Sequence, residues 1–364
     1  MITGFVDAAD AEHRLLGCLL AGAVGNALGA NVEFDDLATI RRRFGPDGVT
    51  AATGYPGGHW PPGAVTDDTQ MTLFTADGLL RALVRGREKG IVHPPTMLWH
   101  AYLRWLHTQG DGWAGIVART PGAARPSWLV DEPRLHAARA PGTTVLAALR
   151  SGRMGTVEEP INDSKGCGGV MRAAPAGVVS PAPFQLGVDL AAITHGHPSG
   201  YLAAGFLAAT VAGLLRGAGL PAAVDAATAE LVARPGHQEV LAAVEAARRL
   251  AGAGWPFEPE ALEGLGAGWV AEEALAIGLA CALAAPDLRS GLLAAVNHGG
   301  DSDSTGSIAG NLLGAALGAG AVPTDLRAGL VEGDLVERMA ADLAAGFLPG
   351  HEAGWPEILD RYVA

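Results

Sequence analysis

Two short acidic segments, far apart in the chain, carry residue types that bind divalent cations. Residues 66–70 read Thr-Asp-Asp-Thr-Gln, and residues 299–306 read Gly-Gly-Asp-Ser-Asp-Ser-Thr-Gly. No Lys or Arg occurs at positions 44–80 or 290–326, so neither segment has a basic neighbour in sequence. Because four carboxylates that meet without a cation repel one another strongly at low dielectric, their convergence requires a divalent metal ion.

The donor atoms in both segments are oxygens, which favours Mg²⁺, Mn²⁺ or Ca²⁺ over Zn²⁺. No His/Cys spacing in the sequence resembles a zinc site. Each segment also precedes an apolar stretch. Taken alone, each is therefore explained equally well by helix capping, with acidic groups near the positive end of a helix dipole.

A Gly-rich segment, Gly25–Phe34, contains two of the five Asn residues of the chain, and Glu33 lies near its end. Its glycines would allow two helices, or a helix and a ligand, to approach closely. Glu33 is a candidate for a further metal ligand or for the general acid/base. The alternative is a solvated acid beyond the end of a helix.

A second Gly-rich segment, Ser164–Arg172, predicts a turn whose backbone N–H groups can hold phosphate oxygens, and Lys165 would add positive charge. It lacks the Lys-Ser/Thr order of a P-loop and follows no clear strand, which excludes P-loop and Rossmann sites. No base partner is indicated for Cys167, so a packed side chain is favoured over a nucleophile. Residues 194–198, Thr-His-Gly-His-Pro, indicate either helix capping and core packing or substrate hydrogen bonding.

These segments differ in composition from the rest of the chain. The chain has 364 residues, 52 Gly, only two Lys, 49% hydrophobic residues and a formal net charge of −13. The hydrophobic content predicts a buried core, and the negative charge disfavours nucleic acid as a partner except as a modified substrate. Three Cys cannot build a disulfide framework, which indicates a reducing, cytoplasmic location.

Helices must position these residues, since runs of alternating Val, Ile and Thr are absent from the sequence. Asp10 is expected to cap a helix that ends near Leu28, and another helix is expected from Asp67 to about Arg85. Further Ala- and Leu-rich helices are predicted near residues 96–108, 143–150, 185–195, 198–216, 222–234, 238–252, 269–284, 286–298, 303–319 and 324–346. No linker divides the chain, so residues 1–364 are expected to form one all-α domain, favoured as a monomer.

No segment is predicted to span a membrane. The uncharged stretch Leu15–Val32 contains four Gly and two Asn, which disfavours a spanning helix. The acidic residues before it argue against a signal peptide, and Gly200–Leu215 is too short to span.

Five segments, taken in order, make the sequence resemble the ADP-ribosylglycohydrolase family. They are Gly25–Phe34, Thr66–Met71 (TDDTQM), Ser164–Arg172 (SKGCGGVMR), Thr194–Pro198 (THGHP) and Gly299–Gly314 (GGDSDSTGSIAGNLLG). The resemblance implies an all-α fold with two Mg²⁺ ions in a central cleft, with Mn²⁺ as a substitute. It also implies hydrolysis of the glycosidic bond between ADP-ribose and an acceptor, such as a protein arginine or serine, or another ADP-ribose conjugate.

The resemblance assigns roles to residues of this chain. Catalytic roles are implied for Glu33, Asp67 and Asp303. The implied metal ligands are Thr66, Asp67, Asp68, Asp301, Asp303 and Ser304. The implied substrate-binding residues are Asn31, Ser164, Gly166, Cys167, Gly168, Gly169 and His195. Three positions depart from the family's pattern: Asn26 stands for Asp, Cys167 for Asn and Ser304 for Thr.

Two other functions are compatible with these residues. One is a relative that keeps the fold and binds ADP-ribose without turnover, although the intact acidic segments argue against it. The other is a different metal-dependent hydrolase, such as a phosphatase, with a similar acidic cluster. The acceptor side is expected in the loops of residues 85–160, whose four Trp residues fit the core better than a cleft.

Overall fold

A computed structural model of the protein describes residues 7–54, 60–179 and 181–363. Within these ranges the regular structure is helical, and a single bridge between Gly166 and Val270 is the only β pairing. The helices are α1 (Ala8–Gly29), α2 (Leu37–Phe44), α3 (Asp67–Lys89), α4 (Pro94–Thr108), α5 (Trp113–Arg119), α6 (Thr143–Arg150), α7 (Pro183–Ala192), α8 (Pro198–Leu215), α9 (Leu220–Val232), α10 (Gln238–Ala253), α11 (Pro259–Glu263), α12 (Ala271–Ala284), α13 (Leu288–Val296), α14 (Ser302–Leu317), α15 (Thr324–Ala328), α16 (Gly333–Phe347) and α17 (Trp355–Arg361). The predicted all-α class is confirmed.

The long predicted helices are present, with differences at their ends. Asp7 caps α1, because its carboxylate accepts a backbone hydrogen bond at 2.9 Å. The predicted cap, Asp10, instead lies inside the helix and forms an ion pair with Arg14. The helix predicted over residues 324–346 is two helices, because α15 ends at Gly329. The short helices α2, α5, α11 and α17 contain too few turns to show a periodic apolar pattern.

One hydrophobic core includes side chains from Ala11, near the start of the described residues, to Tyr362, near their end.

Helix α8 begins at Pro198, earlier than the stretch Gly200–Leu215 considered in the sequence, and is 18 residues long. It is the one described helix long and apolar enough to cross a membrane by length and composition, and 83% of it is buried inside the protein. Its hydropathy is that of a central core helix.

Helices α1 and α14 cross at close range because glycines face each other at the crossing. A β-carbon added at Gly25 would lie 2.0 Å from the backbone oxygen of Gly306, and one added at Gly306 would lie 2.5 Å from that of Gly25. Helix α14 begins in the second acidic segment, and α1 carries Asn26. The crossing of the two helices therefore sets the distance between Asn26 and the second acidic segment.

Replacing Gly306 with Ala is expected to lower the free energy of unfolding by about 1–3 kcal/mol, because the two helices must separate to admit the methyl group. Chemical denaturation measures this change. The matched control is Gly252→Ala in α10, where an added β-carbon meets no atom within 4 Å. That control is expected to leave stability unchanged or to raise it by up to about 1 kcal/mol. Equal stability of the two variants would contradict the close crossing.

Candidate metal centre

The two acidic segments meet at the N-terminal ends of α3 and α14. The Thr66 hydroxyl donates a hydrogen bond to Asp303 Oδ2 at 2.7 Å, although the two residues are 237 positions apart. Carboxylate oxygens of Glu33, Asp301 and Asp303 lie within 4.8 Å of one another. The fold therefore brings together the acidic residues that the sequence singled out in three separate segments.

These groups line a cleft of about 280 Å³. Of the predicted site residues, the lining includes Glu33, Asp67, Asp68, Gly166, Cys167, Gly168, His195, Asp301, Asp303 and Ser304. A larger cavity, of about 520 Å³, shares none of these residues. It is lined by four Arg and by no Asp or Glu of the described chain, so it does not offer the oxygen donors that a cation needs.

The four remaining predicted residues lie beside or beneath the cleft lining. Thr66 is fully buried under the carboxylates. The Ser164 hydroxyl accepts the backbone N–H two residues further along the Gly-rich turn, at 3.3 Å. The Asn31 amide donates a hydrogen bond to Thr53 Oγ1 at 2.8 Å, and Gly169 packs closely against α7. Metal binding by Thr66 and substrate contact by the other three residues stay predictions.

Asn26 joins the first acidic segment to the site, and sequence analysis did not assign it a role there. Its Oδ1 accepts hydrogen bonds from Thr66 N and from Thr69 Oγ1, each at 2.9 Å. Its Nδ2 donates to Thr66 Oγ1 at 2.6 Å and to Asp303 Oδ2 at 3.3 Å. Asn can donate and accept at once, so it orients a threonine that itself donates to a carboxylate. The scarcity of Asn in the chain was the available signal.

The carboxylates of the cleft come together without a Lys or Arg ion-pair partner in the part of the chain that the structure describes. In the described ranges, no ion pair joins Glu33, Asp67, Asp68, Asp301 or Asp303 to a Lys or Arg. Burial raises the pKa of all five above ordinary values, and repulsion between neighbouring carboxylates adds to it at most of them. Glu33 Oε2 and Asp68 Oδ2 are buried and have no hydrogen-bond partner among the described residues. Buried, unsatisfied oxygen donors of like charge fit a divalent cation.

Divalent cations are expected to raise the melting temperature more at about pH 8 than at about pH 5.5. Burial raises the pKa of Asp67 to about 8, above its unfolded value of about 3.9. Without a cation the folded protein therefore holds this proton more tightly than the unfolded chain does, and the stability that this gives is fully present only at low pH. It is lost as the pH rises from about 4 through about 8, and a bound cation reverses the loss. Near pH 5.5 the ion must also displace protons. Thermal melts with and without Mg²⁺ measure the difference, and an equal shift at both values would contradict it.

The Gly-rich turn is fixed against the start of α12. Cys167 N donates to the Trp269 carbonyl at 3.2 Å, and Ala271 N donates to the Lys165 carbonyl at 2.8 Å. Lys165 was expected to add positive charge for phosphate binding. In the structure its ammonium group instead forms ion pairs with two glutamates. His195 lies under the turn, where burial and the Arg172 charge lower its pKa to about 3. It is therefore neutral at physiological pH and can donate or accept a hydrogen bond.

Cys167 lines the cleft, as the resemblance implies for a substrate-binding residue, and its side chain also packs against the hydrophobic core. Its Sγ is 2.8 Å from Asp301 Oδ2 and 3.6 Å from Ser304 Oγ. Burial and the charges of Asp301 and Asp68 raise the pKa of this thiol, so without a cation it is protonated and donates to the Asp301 carboxylate.

Two aromatic residues at the mouth of the cleft were missed by sequence reasoning. Phe34 and Trp269 stack with ring centroids 5.6 Å apart and an interplanar angle of 20°. They are 64% and 41% exposed, an unusual state for large apolar side chains. None of the four Trp residues at positions 85–160 lines the cleft: three of them lie in helices α4 and α5 and not in loops, and Trp105 is fully buried. The Gly-rich run 264–268 before Trp269 was the available signal.

Comparison with known proteins agrees with this geometry. A family model described as ADP-ribosylglycohydrolase matches residues 7–352. The ADP-ribosyl-[dinitrogen reductase] glycohydrolase of Rhodospirillum rubrum is 29% identical over 322 residues, which cover 86% of this chain and 88% of that protein. An uncharacterized protein of Archaeoglobus fulgidus is 26% identical over 344 residues, or 91% and 96% of the two chains.

A solved structure of an ADP-ribosylglycohydrolase-related protein complex has the same fold, with a TM-score of 0.63 and 28% identity. The match covers 92% of this chain and 98% of that one. The helical fold, the meeting of the acidic segments and a family match along nearly the whole sequence lead to one conclusion: the chain belongs to the ADP-ribosylglycohydrolase family.

Proposed function

We propose that the protein is a Mg²⁺-dependent hydrolase that cleaves the glycosidic bond between ADP-ribose and an acceptor, and so reverses ADP-ribosylation in the cytoplasm. Membership of the family supports a glycohydrolase activity. The observation that carries the proposal is the contact between Thr66 and Asp303, which brings two acidic segments to the floor of one cleft.

Six side chains from the two acidic segments would hold two ions. They are Thr66, Asp67, Asp68, Asp301, Asp303 and Ser304. Bound Mg²⁺ would supply positive charge that orients ribose hydroxyls and makes a water molecule more acidic. Mn²⁺ is expected to substitute, since it also prefers oxygen donors.

The rest of the cleft positions the sugar and handles the proton. An added β-carbon at Gly168 would lie 3.0 Å from Val145 and 3.1 Å from His195, a tight fit, so glycine leaves the most room at this wall of the cleft. Glu33 lines the cleft with one oxygen free, which makes it the candidate to accept a proton from the attacking water. Cleavage at the anomeric carbon passes through an oxocarbenium-like state, whose positive charge the surrounding carboxylates stabilise.

The acceptor is proposed to be an ADP-ribosylated protein side chain or a similar conjugate. The name of the Rhodospirillum rubrum relative specifies an ADP-ribosylated protein as its substrate, which supports this choice. The exposed pair Phe34 and Trp269 at the cleft mouth offers an apolar surface on the side where a substrate must enter.

A panel of arginine-, serine- and nucleobase-linked ADP-ribose substrates tests the proposal in the presence of Mg²⁺. Release of free ADP-ribose from at least one linkage is expected, with no phosphate released from ADP-ribose or from small phosphoesters. Binding of ADP-ribose without release from any substrate would instead support a silent relative. Release of phosphate would support a phosphatase.

A further inference from the structure

We propose that Cys167 gives the metal centre a sulfur ligand, so that the protein also binds thiophilic divalent cations such as Zn²⁺ and Cd²⁺. The inference rests on the proposed metal centre and extends it, because the six side chains assigned above offer oxygen atoms alone. A centre built only from oxygens selects hard cations, whereas one sulfur donor shifts the preference towards borderline and soft ions.

The position of the sulfur is the first observation. Cys167 Sγ lies 2.8 Å from Asp301 Oδ2 and 3.6 Å from Ser304 Oγ, and both of these are candidate ligands. Bond lengths of about 2.3 Å for Zn–S and about 2.1 Å for Zn–O place two such donors about 3.1–3.6 Å apart at angles between 90° and tetrahedral. The separation from Ser304 Oγ falls at the end of this range, whereas the separation from Asp301 Oδ2 is shorter because the thiol donates a hydrogen bond that a shared ion would replace.

The second observation is independent of the cysteine. Glu33 and Asp68 are 7% and 2% exposed, and both line the same cleft. Each has one buried carboxylate oxygen that no residue in the described ranges hydrogen-bonds. Oxygens of Glu33, Asp301 and Asp303 also lie within 4.8 Å of one another. These donors indicate an ion at the place that the Cys167 sulfur borders.

The backbone fixes the sulfur at this place. Cys167 is the first residue of the one-turn 3-10 segment Cys167–Gly169, and its N–H is bonded to the Trp269 carbonyl. The other two cysteines, Cys18 in α1 and Cys281 in α12, are fully buried in the core and do not line the cleft. A thiolate–metal signal from this protein therefore has one accessible source, and ion binding releases the thiol proton to solvent.

Titration of the metal-stripped, full-length protein with Cd²⁺ tests the inference through ultraviolet sulfur-to-cadmium charge-transfer absorption. The wild type is expected to show the band, and Cys167→Ser and Cys167→Ala are expected to lose it. The control variant, Cys18→Ala/Cys281→Ala, keeps the cleft unchanged and is expected to retain the band. The affinity for Zn²⁺ relative to Mg²⁺ is expected to fall by about tenfold or more in Cys167→Ser.

A parallel titration with Mn²⁺, followed by electron paramagnetic resonance, separates this inference from the proposed centre. Wild type and Cys167→Ser are expected to bind two ions each. If both bind Mn²⁺ while the wild type takes up Cd²⁺ without the band, the sulfur ligand is wrong and the oxygen centre stands. If the wild type binds no Mn²⁺, the centre itself is wrong, and the sulfur ligand with it.

Discussion

Replacing Asp303 with Asn is expected to abolish turnover while leaving the protein folded. Asp303 is the point where the segments join: its Oδ2 accepts hydrogen bonds from Thr66 and from Asn26, and the residue is 2% exposed. The amide keeps the shape but loses the charge and one ligand oxygen, so an ion is left under-coordinated. We expect kcat/KM to fall by about 10³-fold or more, about 4 kcal/mol of transition-state stabilisation.

The assay is release of free ADP-ribose by wild type and variant at equal concentration. Asp325→Asn is the matched control, because this exposed residue of α15 forms a surface ion pair with Arg289 and does not line the cleft. It is expected to keep full activity. Asp67→Ala and Asp68→Ala are expected to behave like Asp303→Asn. Normal turnover by Asp303→Asn would contradict the proposed site.

Removal of divalent cations is expected to eliminate turnover, and Mg²⁺ is expected to restore it. Five buried carboxylates, including Glu33, gather in the cleft without a Lys or Arg partner in the described chain, so their ionised forms are expected to need bound ions as the source of positive charge. We expect activity to fall below about 1% of the loaded value after chelation and dialysis.

A titration of the stripped protein with Mg²⁺ measures the recovery. Asp303→Asn protein treated in the same way is the control, and it is expected to gain no activity at any Mg²⁺ concentration that restores the wild type. Undiminished wild-type activity after exhaustive chelation would show that the reaction does not use the metal centre.

The sequence predicts the all-α class and the acidic part of the site well, because both depend on local patterns. Apolar residues at helical spacing indicate the long helices, and the TDDTQM and GGDSDS segments restrict the chemistry to carboxylates and hydroxyls. Capping and metal binding predict the same residues locally, and Asp301 does cap α14 by accepting a hydrogen bond from Ser304 N. What the local sequence does not predict is that the two segments meet, as the contact between Thr66 and Asp303 shows.

Two features of the cleft arise from contacts between segments that are distant in sequence, and the sequence does not predict them. Phe34 and Trp269 stack across the cleft mouth because the segment after α1 and the loop before α12 are adjacent in the fold. Cys167 has no sequence neighbour that indicates a role, yet the Gly-rich turn places its sulfur beside Asp301. The cap of α1 differs for a smaller reason: Asp7 and Asp10 are both capping residue types, three positions apart.

Anomalous X-ray scattering from crystals grown with Mn²⁺ tests the central claim most directly, since it locates the ions without reference to activity. Two peaks are predicted in the cleft, where carboxylate oxygens of the two acidic segments would lie within about 2.0–2.6 Å of an ion. Absence of any peak between Asp67 and Asp301, or peaks only at carboxylates on the protein surface, would contradict the account.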